Sequence, residues 1–305
     1  MPITSVVAGI DFSAASLDAA RWVSKYFAPG AEITLVHVVD PAVLPKFARP
    51  LLPSHADIDA ATRRHGEQRL RDAAAELSLR DARCEIRAGR AHEQIRMLVD
   101  EIGADLVVVG RHGDRSPSSR FLGTTAERIV RSSRVPVLVP TNPPAGPPRQ
   151  ILVPVDDAAI TPSLLEWTRE LAERFDANVT LLHVWSNAEY SHVASMSYAE
   201  TKSEAAAHQA IDAEVEAAAE HWLTALANTG FSGARVSVSV RFGRAGAVTV
   251  DTAATLGADL ILMGRRGSGM VGPALLGSTV RTVLHGAPCP VLVVTEPSEE
   301  SSEQW

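Results

Sequence analysis

Four stretches of this chain occur twice, in the same order. Residues 33–39 (ITLVHVV) match 179–185 (VTLLHVW), and 103–111 (GADLVVVGR) match 257–265 (GADLILMGR). Residues 135–139 (VPVLV) match 289–293 (CPVLV), and 8–11 (AGID) match 153–156 (VPVD). A chain that repeats at this length is built from two copies of one supersecondary plan, so each half must bury its own core. Between the copies lies PTNPPAGPPR, residues 140–149. Closely spaced prolines fix φ and remove backbone donors, which makes a semi-rigid linker. The expected organisation is a first domain over 1–140, a linker over 141–149, a second domain over 150–295 and a disordered, Glu- and Ser-rich tail over 296–305.

Within the first copy, apolar runs rich in Val, Ile and Leu predict strands near 5–10, 33–39, 83–88, 105–110 and 135–139. Alanine-rich stretches at helical spacing separate them. Strands alternating with helices imply an α/β fold, a doubly wound parallel sheet with right-handed crossovers, here five-stranded and present twice. In such sheets ligands bind at the carboxyl ends of the strands, where the strand order reverses.

Two features fall at those ends. Gly110-Arg-His-Gly113 follows the fourth strand of the first copy, and after nine residues comes Gly123-Thr124. Gly264-Arg-Arg-Gly267 and Gly277-Ser278 repeat that spacing in the second copy. Glycine lets backbone amides approach a ligand, and a helix opening at Thr124 or Ser278 offers free N–H groups and a dipole suited to an anion. A flexible loop that merely caps a helix is the alternative for either copy alone; the same spacing twice favours a phosphate loop. It is neither a Walker loop, which needs a lysine, nor the G-x-G-x-x-G that follows a first strand. Asp11 and Asp156 end the first strands, where a carboxylate can accept from an adenine amino group or a ribose hydroxyl, or else serve a helix N-terminus.

Other signals are weaker. His37 and His183 occupy matching strand ends, where a structural hydrogen bond is the common role. His112 and Arg266 lie inside the glycine loops, as ready to face solvent as phosphate. The stretch 203–220 reads as a solvated helix face. No Cys/His set has metal-ligand spacing. Cys84 and Cys289, one per copy, form no disulfide framework and read as small, partly buried hydrophobes in a reducing compartment. A net charge of −7 argues against general nucleic-acid affinity. No leader-like segment precedes the first strand and no apolar run is long enough to cross a bilayer, so a cytoplasmic location and no membrane partner are expected.

At these residues the chain resembles the universal stress protein family in its tandem form, with the glycine spacing of its ATP-binding branch. The resemblance rests on V-x-x-D, L-H-V, G-A-D-L-[IV]-x-[MV]-G-x-[RH]-G and P-V-L-V, and it covers nearly the whole chain. It implies a Rossmann-like fold of the adenine nucleotide alpha hydrolase kind and an ATP site in each half, one that can take the nucleotide with Mg²⁺. Asp11 and Asp156 would meet the adenine–ribose end, with Gly9 and Pro154 lining that wall and Val38 and Val184 flanking the base. Gly110, Gly113, Gly123, Thr124 and Thr125 would hold ribose and phosphates in the first site; Gly264, Gly267, Gly277, Ser278 and Thr279 would do so in the second. The resemblance further implies pairing through last strands, as a homodimer or a pseudo-two-fold internal dimer, and a regulatory protein partner. Asp114, where the second loop has Ser268, would repel phosphate unless Arg115 or Arg120 compensates, so the second site is expected to bind at least as tightly. Pro273 also interrupts the second loop. With only three lysines (Lys25, Lys46, Lys202) and no marked catalytic base, a nucleotide-dependent regulator is the leading reading, and a slow ATPase or nucleotidyl transferase the alternative.

Overall fold

The structure, a computed structural model, describes residues 3–39, 55–79, 81–111, 122–156, 162–186, 204–231, 235–265 and 276–295. The expected tail, the loop interiors holding His112, Gly113, Asp114, Arg115, Arg120, Arg266, Gly267, Ser268 and Pro273, and Lys46 and Lys202 lie outside the described residues.

The first repeat contributes β1 (Ser5–Gly9), α1 (Ala14–Trp22), β2 (Glu32–Val39), α2 (His55–Glu76), β3 (Arg83–Ala88), α3 (Ala91–Ile102), β4 (Leu106–Val109), α4 (Thr124–Ser132) and β5 (Val137–Val139). The second contributes β6 (Gln150–Pro154), α5 (Pro162–Phe175), β7 (Asn178–Trp185), α6 (Glu204–Gly230), β8 (Arg235–Phe242), α7 (Ala245–Leu256), β9 (Leu260–Gly264), α8 (Ser278–Gly286) and β10 (Val291–Val294). Two compact units result, one built on Met1–Pro147 with the segment from Pro290, the other on Pro148–Val271 with Leu276–Cys289.

In the first unit the strand order is β3-β2-β1-β4-β5-β10, and in the second β9-β6-β7-β8. β1 pairs with β2 and β4, β2 with β3, β4 with β5, β6 with β7 and β9, and β7 with β8, all parallel. Val6, Val7, Leu106, Val107 and Val108 are at most 1% exposed, so the central strands are covered on both faces, which is why they read as continuous apolar runs. The expected doubly wound plan forms in both repeats, with one antiparallel pairing besides. The last strand of the second repeat, β10, runs antiparallel to β5, with Leu292 opposite Leu138. β5 is three residues long and fully buried, so its outer backbone groups have no water to bond; a second buried apolar strand satisfies them. Pairing through last strands is thus present.

The repeated Gly-Ala-Asp is structural. Gly103 and Gly257 close α3 and α7 in the left-handed region, at φ 62° and 60°. Two residues on, Asp105 Oδ2 accepts from Thr4 N and Thr4 Oγ1, each at 2.8 Å, and from Ser5 N at 3.0 Å. Asp259 Oδ2 accepts likewise from Arg149 N at 2.9 Å and Gln150 N at 3.0 Å. Each aspartate ties the fourth strand of its repeat to the start of the first, at the amino end of the sheet. Burial would raise the Asp105 carboxyl, but the Thr4 and Ser5 donors outweigh it and hold the group below the usual carboxylate range. Its stabilisation is therefore present above the unfolded value of about 3.9 and is lost as pH falls through the lower folded value. Asp105→Ala is expected to cost about 1.5 kcal/mol at pH 7 and progressively less below pH 4, as read by urea unfolding across pH. An equal loss at pH 7 and pH 2.5 would contradict this.

The cysteines are free, Cys84 half-buried and Cys289 buried, with burial foremost pushing the Cys289 thiol up to about 12. Neither is poised as a thiolate.

Candidate functional site

At the carboxyl end of the first unit's sheet, β1 and β4 lie side by side, Gly9 opposite Val109. They are the first and fourth strands of the repeat, so the strand order reverses between them. The adjacency required to bring Asp11 and the glycine loop to one crevice is met.

The chain leaving β1 is held closely. Ile10 N donates to Val36 O at 2.8 Å, and His37 Nδ1 lies 2.7 Å from Ile10 O. A carbonyl only accepts, so Nδ1 carries the proton and His37 is a structural bridge from β2 to the end of β1. Phe12 packs tilted against that imidazole, ring centres 4.5 Å apart, and the Arg69 guanidinium covers the phenyl ring at 3.9 Å. This sandwich holds Phe12 at φ +66°, a conformation non-glycine residues rarely adopt.

Asp11 is exposed, and its Oδ1 accepts from Ser13 N at 3.0 Å and Ser13 Oγ at 2.6 Å. Ser13, not Asp11, caps α1: its Oγ accepts from Ser16 N at 3.2 Å. Asp11 therefore orients the cap while its carboxylate stays at the rim.

Gly110, at the end of β4, faces the first turn of α1. A Cβ there would sit 3.2 Å from Ser16 N and 3.3 Å from Ser16 Cα, tighter than ordinary contact. A Cβ on Gly9 would lie 3.2 Å from Ile95 Cδ1. Asp11 N in turn reaches Ser16 Oγ at 3.4 Å, so Asp11, Ser16 and Gly110 form one continuous wall. Gly123 N donates to Arg111 O at 2.7 Å, bringing the two ends of the glycine segment together. Gly123 then begins α4 without any side-chain cap, so the N–H groups near Thr124 and Thr125 open that helix bare of a capping side chain. Arg111, which follows Gly110, is 7% exposed, and burial pushes its pKa below the ordinary arginine value. Its recurrence as Gly264-Arg265 is the sequence signal that marks it, ahead of its neighbour His112.

The second unit repeats the plan. Val155 N donates to Leu182 O at 2.8 Å, and His183 Nδ1 bonds Val155 O at 3.1 Å. The His183 ring meets Trp222 edge-on at 5.5 Å, in place of the Phe12–Arg69 sandwich. β6 pairs with β9, which brings Pro154 and Asp156 to the same sheet end as Gly264. Gly277 starts α8, again with no side-chain cap, ahead of Ser278 and Thr279. Val38 and Val184 are half-buried at the ends of β2 and β7. Among the described residues no cluster of His, Cys, Asp or Glu suits a metal ion, and no helix is long and apolar enough to cross a membrane.

The family model described as "Universal stress protein family" matches residues 2–140 and again 148–295. Universal stress protein Rv2623 of Mycobacterium tuberculosis is 27% identical over 309 residues, covering 95% of this chain and 96% of its own length. The crystal structure of a universal stress protein from Archaeoglobus fulgidus covers 97% of both chains with a TM-score of 0.66 at 19% identity. A universal stress protein solved in complex with cAMP aligns with 46% of this chain and 97% of its own at 26% identity and a TM-score of 0.30; that ligand is a property of that protein. With both repeats matched over nearly their full length, the chain belongs to the universal stress protein family, as two tandem copies of its domain.

Proposed function

We propose that this chain is a nucleotide-dependent regulator of stress response that binds ATP, with Mg²⁺, in each of two domains, 1–140 and 150–295. One observation carries the reading: an uncapped helix N-terminus whose first residue, Gly123, is closed onto Arg111, beside a Gly110 where a Cβ would press on the Ser16 backbone and a rim carboxylate at Asp11. Anion-seeking N–H groups at one end and an acceptor at the other are what a phosphate-bearing nucleoside needs. Bound ATP would supply the charge and shape change that a regulatory protein partner reads, in the cytoplasm. Asp11 and Asp156 would accept from its adenine–ribose end, while Gly110, Gly123, Thr124 and Thr125, and Gly264, Gly277, Ser278 and Thr279, would hold its ribose and phosphates.

Calorimetric titration of ATP and Mg²⁺ into protein stripped of nucleotide tests this. Two binding events are expected. Absence of binding, with no nucleotide carried through purification, would remove the function and leave the fold. Steady-state turnover near ~10 s⁻¹ would turn the reading towards an enzyme.

A further inference from the structure

β3 closes one side of the first unit's sheet and β8 one side of the second's; among the described residues neither has a strand on its outer side. An outer strand leaves a row of backbone N–H and C=O groups unpaired, and charged side chains are a common guard against a further strand. β3 carries that guard. Arg83, Glu85 and Arg87 alternate along its six residues, with Arg83 Nε bonded to Glu85 at 2.8 Å and Arg87 Nη1 to Glu101 at 2.9 Å. β8 has no charge between Arg235 and Arg241. Its middle reads Val236-Ser237-Val238-Ser239-Val240, a β-favouring run that alternates apolar and hydroxyl side chains.

Charge selects the occupant. At the amino end of β8, Arg235 is already satisfied, by Asn178 Oδ1 at 2.7 Å and Asp176 Oδ1 at 2.9 Å. At the carboxyl end Arg241 and Arg244 are exposed, and among the described residues no carboxylate pairs with either. Phe242 lies between them, 56% exposed, on the face of Val236, Val238 and Val240, with buried Trp185 edge-on at 4.9 Å. A strand added here would continue the ladder, its alternate side chains beside the valines and Phe242 on one face and beside Ser237, Ser239 and Arg241 on the other. Two unpaired guanidiniums at one end call for carboxylates there. A second copy of β8 does not supply them. Run antiparallel, it brings up the Arg235 end, where Asp176 is held by Arg235 and lies 4.0 Å from Arg149; run parallel, it sets Arg241 against Arg241.

We propose that the outer edge of β8 takes an extended segment of a partner protein as an added strand, apolar at alternate residues and acidic at the end beside Arg241 and Arg244. Main-chain bonds along residues 236–240 supply affinity, while the two arginines and Phe242 supply the choice of segment. The proposal gives the partner of the reading above a place to attach, and it rests on that reading only for the partner's regulatory role.

The probe is a fluorescein-labelled peptide, Glu-Leu-Glu-Val-Thr-Val-Thr-Val, titrated into the full chain stripped of nucleotide and followed by fluorescence anisotropy. Run antiparallel to β8, it sets leucine beside Phe242 and its glutamates beside Arg241 and Arg244. Saturable binding below about 1 mM is expected. Lysine in place of both glutamates, or Arg241→Glu in the protein, should weaken it by about tenfold. Arg241 is exposed, so Arg241→Glu should leave the melting temperature unchanged. N-Methylation of alternate residues gives two further peptides: the one whose methyl groups face β8 should lose binding and the other keep it, which a backbone ladder alone predicts. Absence of binding at about 1 mM, equal binding of the two methylated peptides, or undiminished binding of the lysine peptide overturns the proposal. Self-association of the chain that Ser239→Lys abolishes also overturns it, by assigning the edge to a second copy. No ATP enters the titration, so a failure of the nucleotide reading leaves this result standing.

Discussion

Gly246→Val is expected to lower the stability of the second unit by about 3 kcal/mol, a drop of roughly 9 °C in its melting temperature. Gly246 lies in the first turn of α7, pressed against α8: even a bare Cβ would stand 2.5 Å from Thr282 Cβ and 2.8 Å from Thr282 Cγ2. Thr282 Cβ is fixed to the helix backbone, and its Oγ1 is bonded to Ser278 O at 2.9 Å. The clash therefore cannot be relieved by a rotamer change and must separate the helices. The first repeat places His92 at this position, where it lines a small cavity with Ile129 and Ser133. Thr282→Ala added to Gly246→Val should recover part of the loss, because it removes the nearest movable atoms. A Gly246→Val protein that melts with the wild type would show that α7 and α8 are not in this contact.

Gly123→Val is expected to abolish one of two ATP-binding events, weakening it by about 100-fold or about 2.7 kcal/mol, while leaving stability within about 1 kcal/mol. The two effects separate because Gly123 has an ordinary extended φ of −63°, which valine accepts, so the fold does not require the glycine there. What the glycine provides is access to the N–H groups of the first turn of α4. Gly277→Val should remove the other event in the same way. Loss of both events from either single variant would mean that the sites act as one. Retention of both in Gly123→Val would place any anion elsewhere than at this helix start.

The strands of both repeats were legible because residues buried on both faces must be apolar throughout, and five-residue runs of Val, Ile and Leu have few other uses. Helix starts at Thr124 and Ser278 were legible for a related reason: glycine followed by a hydroxyl residue marks a chain about to turn into a helix. The alternation of strands and helices left the strand order open, and it is the structure that sets β4 beside β1. Local sequence also made Asp11 a candidate, but could not separate two short-range roles for it; the structure divides them, with Ser13 capping and Asp11 holding the cap.

Tertiary structure alone decided the rest. The pairing of β5 with β10 was expected only through the family resemblance, because an antiparallel register between three- and four-residue apolar strands carries no local mark, and burial of their backbone groups is a property of the assembled sheet. Arg111 gave no sign of being buried, since charge predicts exposure until a particular neighbourhood encloses it. The unlike sheet ends of the repeats depended on pairs far apart in sequence: Arg87 with Glu101, Trp185 with Phe242. Periodicity and local chemistry determined which segments become strands, helices and turns in this protein. Which side chains meet at their ends was decided by long-range packing, because a contact between distant residues has no energy until the chain has brought them together.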